Sequence, residues 1–181
     1  QVHLRARSYI LAASPIETAR ILLCSDLGKA AANVGQGFVD HMVASYVLLE
    51  PAPPEPIHDP LAISALVESF VNVDDDSKRS YPGGFTIELT GPVSLSSLDM
   101  ERMVPRSEED SWRATQIHAM GECFPHADRF VTLDHSETDV TGRPIPRIHM
   151  SWTDAEEKMA EDMKNACAQL ADPLAIPGSK L

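Results

Sequence analysis

A nearly continuous apolar run, Tyr9-Ile10-Leu11-Ala12-Ala13, passes without a spacer into Ser14-Pro15-Ile16-Glu17. A run of this kind suits a strand covered on both faces of a parallel sheet, so Leu4 to Ala13 is expected to be a strand. Ser14 can cap a helix, Pro15 suits the first helical position, and Glu17 can reach back to complete a capping box. The helix is expected over Pro15 to Ser25, with Gly28 as its C-terminal stop. A strand feeding a helix this directly is half of a βαβ unit, the building block of nucleotide-binding sheets. A chain that opens on such a strand, with nothing ahead of it to pair with, reads as the interior of a larger enzyme.

The bulk properties narrow the class. At 181 residues the chain can bury one sizeable core, or one core plus part of a second. Its 43% apolar and 23% charged residues are ordinary for a globular protein, and the net charge of −12 argues against a nucleic-acid partner. No apolar run approaches the ~18 residues of a membrane span, so no membrane partner is expected. Cys24, Cys123 and Cys167 are far apart and odd in number, which fits neither a disulfide framework nor a zinc site. Buried thiols are the simplest reading and favour a reducing, cytoplasmic compartment.

Further along, Met42 to Leu49 reads as a strand, and Pro51 to Pro56 as an irregular surface segment. Leu61 to Val73 suits a short helix or a strand. Asp74-Asp75-Asp76 lacks the alternating ligands, Gly and distal Glu of a calcium loop, so a solvated loop is the better reading. Phe85 to Leu89 alternates apolar and polar side chains, as a half-buried strand does, and Val93 to Arg113 reads as a mobile or helical insertion. Ala114 to Phe124 is a strand candidate interrupted by Gly121. Arg129 to Leu133, a turn over Thr138 to Arg143, and Ile145 to Trp152 read as a hairpin or meander. Thr153-Asp154-Ala155-Glu156 is a second capping box, and it opens the clearest helix, Thr153 to Ala171. Its apolar stripe of Ala155, Met159, Met163, Ala166, Cys167 and Leu170 is core packing.

No complete catalytic constellation stands in the chain. His118, His126, His135 and His149 fall on or beside the C-terminal strands, but none pairs at the HExxH spacing and no metal site is expected. GxSxG, GxxxxGK[ST] and GxGxxG are missing too. On chemistry alone one pair is left, Asp40-His41. A histidine beside a carboxylate can act as an oriented base, bind an anion, or be a satisfied structural residue.

Two blocks of the sequence nonetheless have a family likeness. The first runs through Leu11-Ala12-Ala13-Ser14, Ile16-Glu17-Thr18-Ala19-Arg20-Ile21-Leu22-Leu23 and Val34-Gly35-Gln36-Gly37-Phe38-Val39-Asp40-His41. The second runs through Arg129-Phe130-Val131-Thr132-Leu133-Asp134 and Asp139-Val140-Thr141-Gly142-Arg143-Pro144-Ile145-Pro146-Arg147-Ile148. In order and spacing they resemble the glucose–methanol–choline (GMC) oxidoreductases, flavoenzymes that oxidise alcohols and sugars; the pyranose-oxidase-like branch is the closest in flavour. The likeness covers about a third of the chain.

The resemblance implies an α+β fold: a mixed or antiparallel substrate-domain sheet backed by helices, preceded by a strand–helix piece of a Rossmann-type FAD domain. Residues 1–41 would be the remnant of the FAD-binding domain and 42–181 the substrate-binding domain. FAD would be the cofactor, contacted by Ala12, Ala13 and Ser14 at the end of the strand and by His41. The partners would be a small-molecule alcohol or sugar and the remainder of the same enzyme. Two departures stand out. Ser14 replaces the family's glycine, stiffening a turn where backbone passes close to the cofactor, and the GxGxxG fingerprint is absent. The catalytic histidine and its His or Asn partner are expected C-terminal to Leu181. The competing reading is a non-catalytic α+β binding or interaction domain without a cofactor.

Overall fold

Alternation of apolar and polar side chains along four segments builds the larger part of the molecule. The computed structural model of the chain describes residues 3–25, 27, 31–51, 63–71, 79–94, 112–175 and 177. In chain order the elements are α1 (Pro15–Leu23), β1 (Met42–Pro51), β2 (Ile63–Val67), β3 (Phe85–Ser94), β4 (Trp112–Gly121), β5 (Phe130–Thr138), β6 (Pro144–His149) and α2 (Asp154–Leu174). The fold is α+β. Every strand pairing among the described residues is antiparallel, in a four-stranded sheet of order β1-β4-β3-β2 and a two-stranded sheet β5-β6. No helix is long and apolar enough to cross a membrane among the described residues.

Two compact units result. One comprises residues 1–40 and 124–151, the other residues 41–123 and 152–181. The expected boundary after residue 41 is thus crossed by 124–151, whose hairpin groups with the N-terminal residues.

In the second unit, Met42, Ala44 and Tyr46 of β1, Ile117 and Ala119 of β4, and Phe85, Ile87 and Leu89 of β3 pack in one core with α2. The α2 stripe delivers Met159, Met163, Ala166, Cys167 and Ala171, all buried, which matches the helical spacing of the sequence. Each of the two buried methionines, Met159 and Met163, contributes roughly 1.5–3 kcal/mol of burial. The α2 N-terminus is closed by the reciprocal box: Thr153 Oγ1 accepts from the Glu156 N–H at 3.3 Å, and the Glu156 carboxylate accepts from the Thr153 N–H at 2.9 Å. The helix runs beyond the expected Ala171 to Leu174. Pro173 sits in its last turn, where the Ala175 N–H still bonds to Ala171 O at 3.1 Å.

Several expectations change on inspection. Leu4 to Ala13 is not a strand. A strand must exchange its N–H and C=O groups with a neighbour, and none of the strand pairings involves this segment. Its side chains stand in solvent instead, with Ile10 91% exposed. Helix α1 stops at Leu23, two residues short of Ser25, and Gly28 lies outside the described residues. Ile63–Val67 is a strand, at the edge of the sheet among the described residues, so the Leu61–Val73 segment contains a strand near its start. Strands β1, β3 and β4 extend further than their apolar cores, to Pro51, Ser94 and Trp112, because their pairing continues there. The insertion expected over Val93–Arg113 falls mostly in residues outside the description, as do the Asp74–Asp76 loop and the proline-rich segment after Pro51. Gly121 ends β4 rather than interrupting it.

Candidate functional site

The turn that leads into α1 is held by its own side chains. Ser14 takes φ 74°, ψ 162°, a region reached almost only by glycine. Its Oγ accepts from the Glu17 N–H at 3.3 Å, and the Thr18 N–H bonds to Ser14 O at 2.9 Å. The Ala13 N–H bonds to Thr18 Oγ1 at 3.2 Å. Pro15 has no N–H to give. The expected capping box is therefore only half made at this helix, the Ser14 half. Ala12 and Ser14 are exposed and Ala13 is half-buried. The turn presents small side chains with few donors to spare, which suits van der Waals approach by a flat neutral group better than a phosphate cradle.

The two sequence blocks meet in this same unit. Gly35, at φ 84°, lies flat on β5: a Cβ there would come within 2.3 Å of the Val131 carbonyl oxygen. The Val131 N–H bonds to Gly35 O at 2.7 Å, Gln36 bridges to Phe130, and the Phe38 N–H bonds to Arg129 O at 3.1 Å. Arg20 reaches from α1 into the β5–β6 turn. Its Nε donates to Pro144 O at 2.8 Å and its Nη2 to Asp139 Oδ2 at 2.7 Å and Arg143 O at 3.3 Å, while Nη1 pairs with Glu17 at 3.3 Å. Asp139 in turn accepts from the Thr141 hydroxyl at 2.7 Å and the Arg143 N–H at 3.2 Å. The Thr141 hydroxyl, the Arg20 guanidinium and the Arg143 amide hold the Asp139 carboxyl far below the usual carboxylate range.

Beside this clamp lies a hollow of about 730 Å³ between α1 and the hairpin, with Ile21, Cys24, Leu133, His135 and Gly142 on its walls. Of the charged residues that line it, Glu17, Arg20, Asp139 and Arg143, the Arg20 and Asp139 side chains are tied to one another and to backbone. Their bonds serve the fold and leave little capacity to grip a ligand.

His41 belongs to the other unit. It lines a cavity of about 250 Å³ at the start of the four-stranded sheet, together with Val71, Gly84, Phe85, Thr86, Met120, Gly121 and Glu122. The Glu122 carboxylate accepts from the Gly84 N–H at 3.0 Å and helps to shape the rim. Ala12, Ala13 and Ser14 thus lie together in one turn of the first unit, whereas His41 lines a cavity in the second.

Beyond that cavity, Ser45, His118 and Glu88 stand in one cross-strand row. Ser45 Oγ is 2.8 Å from His118 Nδ1, and Gln116 Nε2 is 3.5 Å from the same nitrogen. The sequence marked His118 only as one of several histidines. Its partners come from strands far away in the chain, so no local motif could announce them. Two of the other histidines have structural settings: His149 stacks on Phe130 at 4.2 Å and contacts Thr132 Oγ1 at 3.0 Å, and His126 lies 3.6 Å from Asp128. Among the described residues no three His, Cys, Asp or Glu side chains gather to hold a metal ion. Comparison with protein-family models finds no match for the chain, and no curated protein matches it.

Proposed function

We propose that the chain is part of an FAD-dependent oxidoreductase of the GMC type, acting on the CH–OH group of alcohols or sugars. The observation that carries this reading is the interlock of the two resembling blocks. Residues more than ninety positions apart in the chain, chosen by likeness alone, pack on one another through Gly35 on Val131 and Arg20 on Asp139. Motifs kept for a shared architecture should do this; chance matches have no reason to. A second support is Ser14, which stands where the family has glycine and takes a backbone conformation that glycine favours.

The residues present fit the cofactor in a limited way. Ala12, Ala13 and Ser14 would hold one edge of it by close contact, with the donors of the turn already engaged. Bound flavin would supply the hydride acceptor, and the remainder of the same enzyme would supply the base. The exposed apolar segment Tyr9 to Leu11 would pair there as well, which gives its unpaired backbone a partner. His41 would belong to the pocket wall. A reducing, cytoplasmic compartment suits three free thiols.

The test is to purify the protein made from the whole reading frame that contains this chain and record its visible spectrum. A flavin band released on denaturation, with alcohol-dependent reduction of a dye, is the expected result. A colourless protein without such activity overturns the reading and leaves the non-catalytic α+β binding domain in its place. The 181-residue chain alone is expected to hold FAD weakly and to oxidise no alcohol.

A further inference from the structure

Among the described residues three strands have an outer edge that no other segment pairs with: β1 and β2 in the four-stranded sheet, and β6 in the hairpin. A bare edge presents unpaired N–H and C=O groups, a template for another strand unless the sequence blunts it. β6 is blunted by Pro144 and Pro146, which have no N–H to offer. β2 is five residues long, and its register with β3 shifts between Ile63 and Ala65. β1 has neither defence. It runs for ten residues in unbroken register with β4, and from Met42 to Leu49 it carries no charge and no proline. Glu50 and Pro51 guard only its end. Val43 is 51% exposed, Ser45 is exposed as well, and no backbone hydrogen bond to the outer edge of β1 stands among the described residues.

This edge is complementary to itself. Two β1 strands related by a two-fold axis normal to the sheet run antiparallel, with α2 on the same face of both copies. Opposed residues must then share a face, and the longest such overlap that leaves Pro51 out is Met42 to Glu50, centred on Tyr46. In that register Val43 lies opposite Leu49 of the second copy, Ala44 opposite Leu48, and Ser45 opposite Val47. Glu50, the one charge of the strand, meets Met42 and never itself. A charged strand would instead bury its charges beside Val43, Leu48 and Leu49.

The helices fit the same axis. α2 packs on β1 and β4. Neighbouring strands are about 4.8 Å apart, so the two α2 axes come to lie about 10 Å from each other, within the range of packed helices. Asp162 is held by Tyr81, just ahead of β3, whereas Lys164 lies within electrostatic reach of Tyr46, so the Lys164 flank is the one turned past β1. Four residues to either side of Lys164 stand Ala160 and Ala168, small enough for close approach. Lys164 itself is already paired with Glu161 at 2.5 Å. The strand overlap and the helix are each about 30 Å long, and sheet and helix layers together are about 20 Å high. Such a face covers about 600 Å² per copy, or ~1,200 Å² in all, the lower end for stable complexes.

We propose that β1 pairs with β1 of a second copy of the chain, joining the two four-stranded sheets into one across a two-fold axis at Tyr46. The proposal does not rest on the flavoenzyme reading.

The test uses the protein made from the whole reading frame, followed by sedimentation equilibrium and by amide hydrogen exchange along β1 at several concentrations. A dimer is expected, with continuous protection from Val43 to Leu49 that gives way to alternating fast and slow amides once dilution yields monomer. Val43→Lys sets an ammonium against Leu49 of the second copy and should raise the dimer Kd at least about tenfold. Leu66→Lys, at a similarly exposed position on β2, should leave it unchanged. Monomer at every concentration overturns the proposal, whether β1 is then bare or protected by another strand of the same enzyme. A dimer unmoved by folded Val43→Lys, or one whose β1 amides still alternate, overturns it too. Should Val43→Lys fail to fold, exchange on the unaltered protein decides. Flavin enters neither readout, so this pairing and the flavoenzyme reading stand or fall separately.

Discussion

Replacing Gly35 with alanine isolates the contact on which the first unit depends. At φ 84° the new residue must adopt a left-handed conformation, which costs an L-residue roughly 1–2 kcal/mol. Its Cβ would sit 2.3 Å from the Val131 carbonyl oxygen, which is backbone and cannot swing aside, so the two segments must separate. Separation stretches the 2.7 Å bond from the Val131 N–H to Gly35 O, a further loss of about 1 kcal/mol. Against this, alanine restricts the unfolded chain and returns roughly 0.5–1 kcal/mol. The net loss is about 2 kcal/mol or a little more. Because the chain has two units, a local probe is needed: amide hydrogen exchange at Val131 and Phe38, read by NMR. A loss of this size accelerates exchange about thirtyfold or more if local opening governs it. Gly142→Ala is the control. It also has positive φ, at 76°, but nothing stands within 4 Å of its added Cβ. It should lose no more than about 1 kcal/mol and leave the Val131 amide unchanged. If Gly35→Ala behaves like Gly142→Ala, the close approach of the two blocks is not what holds the unit, and the argument fails.

Ser14→Gly should relieve a conformation that strains serine by about 1–3 kcal/mol while giving up a few tenths of capping and some unfolded-state entropy, for a net gain near 1 kcal/mol in unfolding experiments; a loss would contradict the strain. Asp139, whose folded pKa is depressed, stabilises the hairpin fully above the ordinary aspartate value near ~3.9, and that stability drains as pH falls toward the folded value. Exchange protection of the Gly142 amide should therefore decline in acid, and Asp139→Asn should remove that dependence. Tyr81→Phe removes the hydroxyl that donates to Asp162 at 2.5 Å and should lower stability by about 1 kcal/mol, followed by the fluorescence of Trp112 and Trp152. In the unaltered protein burial and the Asp162 carboxylate push this phenol well above the usual tyrosine range, so one of the three tyrosines should ionise late in an alkaline absorbance titration. Maleimide should modify exposed Cys24 before the others and reach buried Cys167, whose thiol is pushed up by burial, only on unfolding.

What could be read from the sequence is local. The Thr153/Glu156 box, the Met159–Cys167 stripe and the β5–β6 hairpin each depend on residues a few positions apart, and each has the expected form. What could not be read depends on register between distant segments. β4 sits between β1 and β3, and nothing within Ala114 to Phe124 indicates that its neighbours begin at Met42 and Phe85. A slip of one residue would turn His118 to the α2 side and replace it with Ile117 or Ala119, so the Ser45–His118–Glu88 row exists only once register is set. The Leu4–Ala13 expectation failed for a related reason. Apolar continuity says that a segment can be buried in a sheet, but a strand is a property of two segments, and the described residues hold only one of them.

The hollows in the two units differ in size and in how far the groups that line them are already engaged. The hollow of about 730 Å³ borders four charged residues, Glu17, Arg20, Asp139 and Arg143. Yet Arg20 already donates to Pro144, Arg143, Asp139 and Glu17, and Asp139 already accepts from Thr141, Arg143 and Arg20. A ligand that gripped Arg20 or Asp139 would have to displace bonds that hold the helix to the hairpin, and the charge-assisted ones are worth about twice a neutral bond. The cavity of about 250 Å³ opens on the sheet of the second unit, beside a row in which Ser45 Oγ lies 2.8 Å from His118 Nδ1. The charged clamp of the first unit is therefore architecture: its bonds hold the helix to the hairpin.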